Sequence, residues 1–321
     1  MTRRVVPPPS FSEIEEAAVR VRPHIRHTPI LTSRSLDSQT GARLFFKCEN
    51  FQRSGSFKAR GAFNAILARP ASVSVVATHS SGNHAAALAL AAATERLKAH
   101  VVMPHTAPRA KRAAVEAQGA EVIPCEPTLA AREAVLAEVA ERTGATVIPP
   151  FDSQLVAAGQ GTCALELVAD APRPLDMVLL PVGGGGLLTG TLIALATRAP
   201  RTQVIGVEPA LADDAARGFR LAQRQPQVVP VRTIADGVTT AMSEMTFSVM
   251  CWLAHDIVTV SEEAILNAMR LIFERLKIVV EPTCALPLAA ILEEKVDVRG
   301  KSVGLILTGG NVDLDRLPWM A

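Results

Sequence analysis

The 321-residue sequence contains no tyrosine, and its aromatic residues are limited to 10 Phe and 2 Trp. Chemistry that needs a phenol is excluded, and a platform for stacking successive bases is too sparse to build. Charge of one sign is missing too: 33 Lys and Arg against 31 Asp and Glu leave a formal +2. The basic residues are spread along the chain, so no nucleic-acid partner is expected. Long hydrophobic runs are absent; the longest, Ala85 to Ala93, has about nine residues, roughly half of what a bilayer-spanning helix needs. A soluble chain with no membrane partner is expected. The opening MTRRVVPPPS has three prolines where a signal peptide carries its apolar segment, which points to the cytoplasm. Five cysteines (Cys48, Cys125, Cys163, Cys251, Cys284) are odd in number and lack C-x-x-C spacing. Neither a disulfide framework nor a zinc knuckle follows, and buried free thiols are expected.

What is present is alternation. From about residue 73, short β-branched runs alternate with longer Ala/Leu/Glu/Arg segments, the pattern of an α/β chain whose parallel sheets are covered by helices. Strands are expected at Val73 to Ala77, His100 to Met103, Glu121 to Ile123, Ala145 to Ile148, Met177 to Val182, Gln203 to Val207, Ile257 to Val260 and Val303 to Leu307. Helices are expected near Phe11 to Val21, His84 to Glu95, Pro108 to Gln118, Leu129 to Arg142, Leu155 to Ala169, Leu187 to Thr197, Glu262 to Leu276 and Ala285 to Glu293. Proline-containing stretches at Pro149 to Gln154 and Ala169 to Pro174 are candidate boundaries, the first preferred. Two lobes packed across a cleft fit this better than separate beads, with ligands outside the carboxyl ends of the strands.

Three loops carry chemistry. Ser54-Gly55-Ser56-Phe57-Lys58 puts a lysine at the start of a helix, where the dipole favours the uncharged amine that a Schiff-base lysine needs. A solvated surface lysine is the competing reading. Thr78-His79-Ser80-Ser81-Gly82-Asn83-His84 gathers hydroxyls, an amide and backbone donors before an Ala-rich helix, a site suited to a carboxylate or simply a capped helix start. Pro181-Val182-Gly183-Gly184-Gly185-Gly186-Leu187 lets consecutive N–H groups turn toward one anion, which suits a phosphate. It lacks the glycine spacing of a dinucleotide site and the Gly-Lys-Ser/Thr of a P-loop, which disfavours NAD and ATP.

Taken together and in order, Ser-Gly-Ser-Phe-Lys58, Ser80 to His84, the tetraglycine from Gly183 and Thr308-Gly309-Gly310-Asn311 resemble the β family of pyridoxal-phosphate enzymes (fold type II). Within it the chain resembles the serine/threonine dehydratase and serine racemase group, over nearly its whole length. Ala158-Gly159-Gln160-Gly161-Thr162, Ala235-Asp236-Gly237-Val238 and Glu281-Pro282-Thr283 join the match. The resemblance implies two lobes, each an open, mostly parallel sheet, with residues 1–70 and 153–321 forming the large cofactor-binding unit. Residues 71–152 would be the small unit that closes on substrate.

By that resemblance Lys58 holds pyridoxal 5'-phosphate covalently and then removes the substrate Cα proton. Phe57 packs beside the ring, Asn83 bonds its phenolic oxygen, and Gly183, Gly184, Gly185, Gly186 and Leu187 cradle the phosphate. Gly237 and Glu281 lie near the ring, and Thr308, where most of the group have serine, faces the pyridine nitrogen. A neutral hydroxyl there makes a weaker electron sink than a carboxylate partner, which favours prompt loss of a β leaving group, with the cofactor phosphate as acid. Ser80, Ser81, Gly82, Asn83 and His84 would take the substrate carboxylate, with Arg132 and Phe151 also at the substrate. Ser81 matches the second acid/base of racemases, whereas Phe151 resembles dehydratases at a position where racemases often have asparagine. Ala85-Ala86 replaces a common Gly-Gln pair, and Cys284 stands where glycine is usual. Glu208, the Ala212 carbonyl and Asp214 match the group's site for Mg²⁺ (or Ca²⁺/Mn²⁺); an acidic surface turn is the alternative.

The implied activity is dehydration of L-threonine or L-serine to a 2-oxo acid and ammonia. Its rivals are serine racemisation, a threo-3-hydroxyaspartate ammonia-lyase, a β-replacement synthase and a non-catalytic cofactor-binding protein. Intact Lys58, Ser81 and phosphate loop argue against the last. The chain ends about ten residues after the Thr308 strand, which leaves no room for the regulatory domain of biosynthetic threonine dehydratases; a stand-alone homodimer is expected from the group.

Overall fold

In a computed structural model, residues 6–80, 82–107 and 109–320 are described, without the side chains of 110 and 111. The first stretch carries α1 (Phe11–Val21), β1 (Ile30–Leu31), α2 (Arg34–Thr40), β2 (Arg43–Cys48) and α3 (Lys58–Leu67). Next come β3 (Val75–His79), α4 (Asn83–Thr94), β4 (Lys98–Pro104), α5 (Arg109–Glu116), β5 (Glu121–Cys125), α6 (Leu129–Thr143) and β6 (Thr146–Val147). The chain continues through α7 (Gln154–Asp170), β7 (Met177–Pro181), α8 (Gly186–Arg198), β8 (Gln203–Pro209), α9 (Asp214–Leu221) and α10 (Glu244–Leu253). It closes with β9 (Asp256–Val260), α11 (Glu262–Leu276), α12 (Leu286–Leu292) and β10 (Ser302–Leu307).

The strands form two sheets. Six lie in the order β1-β2-β10-β7-β8-β9, parallel except for β1, and four lie in the order β5-β4-β3-β6, all parallel. Helices flank both, giving the two-lobed α/β architecture. All four strands of the smaller sheet fall between residues 75 and 147. Helix α3 precedes them, yet Ala59, Ala62, Phe63 and Ile66 pack in the same core as Val76, Leu88 and Val101.

Where expected elements overlap observed ones, the ends agree or move by at most two residues, and β3 runs on to His79, so the Ser80 loop starts at its tip. The alternation read from residue 73 onward missed β1, β2, α2, α9 and α10. In β2, Arg43 and Lys47 interrupt an otherwise apolar run, but Lys47 is fully buried because its ammonium pairs with Glu166 at 2.7 Å. Helix α10 is announced by a capping box at Ser243 and Thr246. Burial of all the thiols needs one correction: Cys48, Cys125, Cys163 and Cys284 are buried and Cys251 is exposed, since it lies on the outer side of α10.

Glycines bring three helices into contact. A methyl group on Gly159 of α7 would come 2.6 Å from the Arg60 carbonyl and 2.7 Å from Gly61 Cα, both on α3. Two residues on, a methyl on Gly161 would come 2.8 Å from the Gly190 carbonyl of α8. The Gly-Gln-Gly of α7 is thus a double helix crossing. It sets the lysine-bearing start of α3 against the glycine-rich start of α8. Beneath it, Arg60 is fully buried and bonds Glu49 at 2.7 and 2.8 Å and Glu166 at 2.7 Å.

Candidate active site

The cleft between the lobes holds a cavity of about 350 Å³. Lys58 enters it from the start of α3, its amine enclosed and donating to the Pro150 carbonyl at 2.9 Å. Burial brings the ammonium down from 10.5 to about 8, and the Glu281 carboxylate partly opposes that drop. Phe57 lies beside it, with the amine 5.1 Å from the ring centroid.

The tetraglycine follows β7 and opens α8. Among the described residues, the amides of Gly183, Gly184, Gly185 and Gly186 have no acceptor. Four donors at a helix N-terminus, where the macrodipole is positive, make an anion site. The turn needs glycine for packing as well as for backbone freedom: Gly185 has φ +85°, a Cβ on Gly183 would press on Val238, and one on Gly184 would overlap the Phe151 ring. Phe151 therefore lies directly on the loop, and Leu187 and Gly237 line the same cavity. Gly237 N–H donates to Thr283 Oγ1 at 3.0 Å.

At the far wall, Thr308 is 2 % exposed and its Oγ1 has no hydrogen-bond partner. An orphaned hydroxyl in a cavity that also holds a lysine with a lowered pKa and an anion cradle fits a phosphorylated heteroaromatic aldehyde with a ring nitrogen. Cys284 is buried against the backbone of Gly309 and Thr308, behind that wall.

The small lobe supplies the remaining side. Ser80, Gly82, Asn83 and His84 line the cavity at the start of α4; Ser81 lies outside the described residues. Asn83 Nδ2 donates to Glu281 Oε1 at 2.8 Å. His84 is buried with Nε2 3.1 Å from the Ile148 carbonyl, and burial first, then the nearby Lys58 charge, lowers it to about 3, so it is neutral. Arg132, on the first turn of α6, also lines the cavity, and its buried Nε has no hydrogen-bond partner. Its charge, together with burial as the larger cause, lowers neighbouring His79.

Glu208, Ala212 and Asp214 stand apart from this cavity, between the end of β8 and the start of α9. Glu208 is 1 % exposed and accepts from the amides of Ala215 and Ala216 at 3.2 and 2.8 Å. Burial, and then the Asp214 carboxylate, push Glu208 well above the usual range, and burial pushes Asp214 up to about 6. Two carboxylates at odds in a buried corner have the chemistry of an oxygen-ligated cation site.

Two contributors were not foreseen. The Pro150 carbonyl that receives Lys58 is a backbone group, which no residue type announces. Asn311 bonds Asn83 at 2.8 Å, and its place beside the Thr308 turn was the available signal.

A lysine-centred cavity with an anion cradle between two mostly parallel sheets defines the class as the two-lobed pyridoxal-phosphate enzymes. The chain belongs to the pyridoxal-phosphate dependent enzyme family, which matches residues 21–309. It is 46% identical over 313 residues to a beta-hydroxyaspartate dehydratase of Paracoccus denitrificans (strain Pd 1222), covering 97% of this chain and 99% of that protein. Among solved structures, maize serine racemase superposes with a TM-score of 0.93 at 39% identity over 97% of this chain and 96% of its own. A threonine deaminase from T.th. superposes with a TM-score of 0.92 at 46% identity, over 95% and 99%.

Proposed function

We propose that this protein is an ammonia-lyase that eliminates water from 3-hydroxyaspartate, yielding a 2-oxo diacid and ammonia. Dehydration is the reaction expected from the sequence, and the substrate moves from threonine or serine to a hydroxy diacid. One observation carries that shift: Arg132, a cation with a buried and unpartnered Nε, lines the Lys58 cavity. A guanidinium that lines the cavity with its Nε buried suits a second carboxylate, which serine and threonine lack. The 46% identical dehydratase relative supports the same substrate class.

In this reading the bound pyridoxal phosphate supplies an electron sink conjugated to the amino acid's Cα. The loop that leads into α4 takes the α-carboxylate through backbone and side-chain donors of Ser80, Gly82 and Asn83, and Ser81 keeps the role that the resemblance implies. Arg132 takes the β-carboxylate, and Phe151 shields the phosphate loop from water. Lys58 removes the Cα proton; that electron pair forms the Cα–Cβ double bond as the Cβ–O bond breaks, and the hydroxyl leaves with a proton as water. The released enamine tautomerises and is hydrolysed by one water to the 2-oxo acid and ammonia. Closure of 71–152 over the substrate and a cation on Glu208, Ala212 and Asp214 belong to the same proposal.

The test is 2-oxo acid release from threo-3-hydroxyaspartate, L-serine and L-threonine, with serine enantiomers followed by chiral chromatography. Turnover of hydroxyaspartate far above the other two is expected. Arg132→Ala should lower kcat/KM for hydroxyaspartate roughly 10- to 100-fold, the scale of one lost charge-assisted bond, and leave serine turnover nearly unchanged. Equal losses on both substrates would remove Arg132 from the β-carboxylate. Enantiomer exchange without oxo-acid release would favour the racemase reading, which the 39% identical maize serine racemase supports.

A further inference from the structure

Asn311 follows the Thr308-Gly309-Gly310 turn and has no part in the reaction above. Its Nδ2 lies 2.8 Å from the Ser54 carbonyl and 2.8 Å from Asn83 Oδ1. Asn83 in turn directs Nδ2 at Glu281 Oε1, 2.8 Å away. The polarity of this row has one solution. A backbone carbonyl at one end and a carboxylate at the other can only accept, so Asn311 must present its NH₂ to Ser54 and Asn83 must present its NH₂ to Glu281. The contact between the two asparagines then pairs a donor with an acceptor. Reversing Asn83 would set oxygen against oxygen at Glu281 and nitrogen against nitrogen at Asn311.

The surrounding backbone is built to admit this side chain. Gly55 has φ +75°, a methyl group there would overlap the Asn311 amide, and Gly310 N–H donates to the Gly55 carbonyl at 2.9 Å. Asn83 belongs to the small lobe and opens α4, whereas Ser54 and Asn311 follow adjacent strands of the large sheet, β2 and β10. The row therefore crosses the cleft.

We propose that Asn311 is a positioning residue that fixes the Asn83 amide with its nitrogen toward the cavity. By the resemblance the second N–H of Asn83 would meet the cofactor's phenolic oxygen, and a reversed amide would offer that oxygen only a repelling lone pair. Asn311 thus controls cofactor retention and electronics from outside the cofactor's own contacts, whichever amino acid is turned over.

Asn311→Asp keeps the volume but turns acceptors toward both the Ser54 carbonyl and Asn83 Oδ1, which drives Asn83 to reverse. The measurements are the dissociation constant of pyridoxal phosphate, the visible absorption band of the holoenzyme and the melting temperature of the apoprotein. The expected result is a shifted band and roughly 10- to 100-fold weaker retention, the scale of one bond to a charged oxygen, with an apoprotein that still melts cooperatively at a temperature lowered by the lost bond to Ser54. In an Asn83→Ala background, Asn311→Asp should add nothing. An unshifted band with unchanged retention, or an effect of equal size with and without the Asn83 amide, would overturn the proposal. If the aspartate variant does not fold, Asn311→Ala, which removes the donor without adding an acceptor, is taken through the same cycle, and the same two results would overturn the proposal.

Discussion

Lys58 is held where a positive charge is costly. Its amine titrates at about 8 instead of 10.5, because burial outweighs the opposing pull of Glu281. Only the free base attacks a carbonyl, so the rate of cofactor uptake by apoprotein should rise with pH and level off above about 8. Stopped-flow absorbance across that range checks this; a rate still climbing toward the ordinary lysine value would refute the buried-amine account. Lys58→Ala should abolish turnover and covalent cofactor attachment while circular dichroism and melting stay close to wild type, because the amine's hydrogen bond to the Pro150 carbonyl ties it to no other side chain. At this scale much of the site was legible: Lys58, the tetraglycine and Thr308 belong to strongly patterned motifs. Asn311 was visible as a letter and invisible as a role, since its meaning depends on Ser54 and Asn83, 257 and 228 positions away in the chain.

The helix crossings decide how well the elements carry those residues. Gly190 of α8 faces the Ala157 carbonyl and the Gly161 amide of α7 so closely that a methyl group would overlap both. Neither backbone can step aside without moving α3 or the phosphate loop. Gly190→Ala should therefore cost roughly 2–3 kcal/mol, within the usual range for overpacking, and should also loosen cofactor retention, because α8 begins in the cradle. Denaturant midpoints with and without cofactor check both parts, and an unchanged midpoint would show that the crossing yields easily. Strand positions from β3 onward followed from periodicity because each strand there is an apolar run between turn signals, whereas helices α9 and α10 did not. Earlier in the chain that signal failed. Strand β2 is broken by two basic residues, and Lys47 is buried there because it bonds the Thr28 carbonyl and the carboxylates of Glu166 and Asp170, 119 and 123 residues on.

Across the whole molecule, two sheets that share no strand are joined by α3, α7 and the row of polar contacts through Asn83. At the edge of the large sheet, burial and then the Asp214 charge disfavour the Glu208 carboxylate, burial likewise disfavours that of Asp214, and a divalent cation would relieve both. Chelation should lower the melting temperature of the holoenzyme, and Mg²⁺ or Ca²⁺ should restore it; Glu208→Gln should be insensitive to both. A melting temperature indifferent to chelator in the native protein, with metal removal verified, would return this corner to a plain acidic turn. No helix among the described residues is long and apolar enough to cross a membrane. The sequence by itself determined the α/β class, the order of the motifs and the lysine–phosphate chemistry, because these depend on local periodicity and on residue types that few other uses would cluster. Tertiary structure alone decided which way each amide points and that buried charges in β2 and α3 find partners. Those are facts of long-range pairing and desolvation, which no local run of residues encodes.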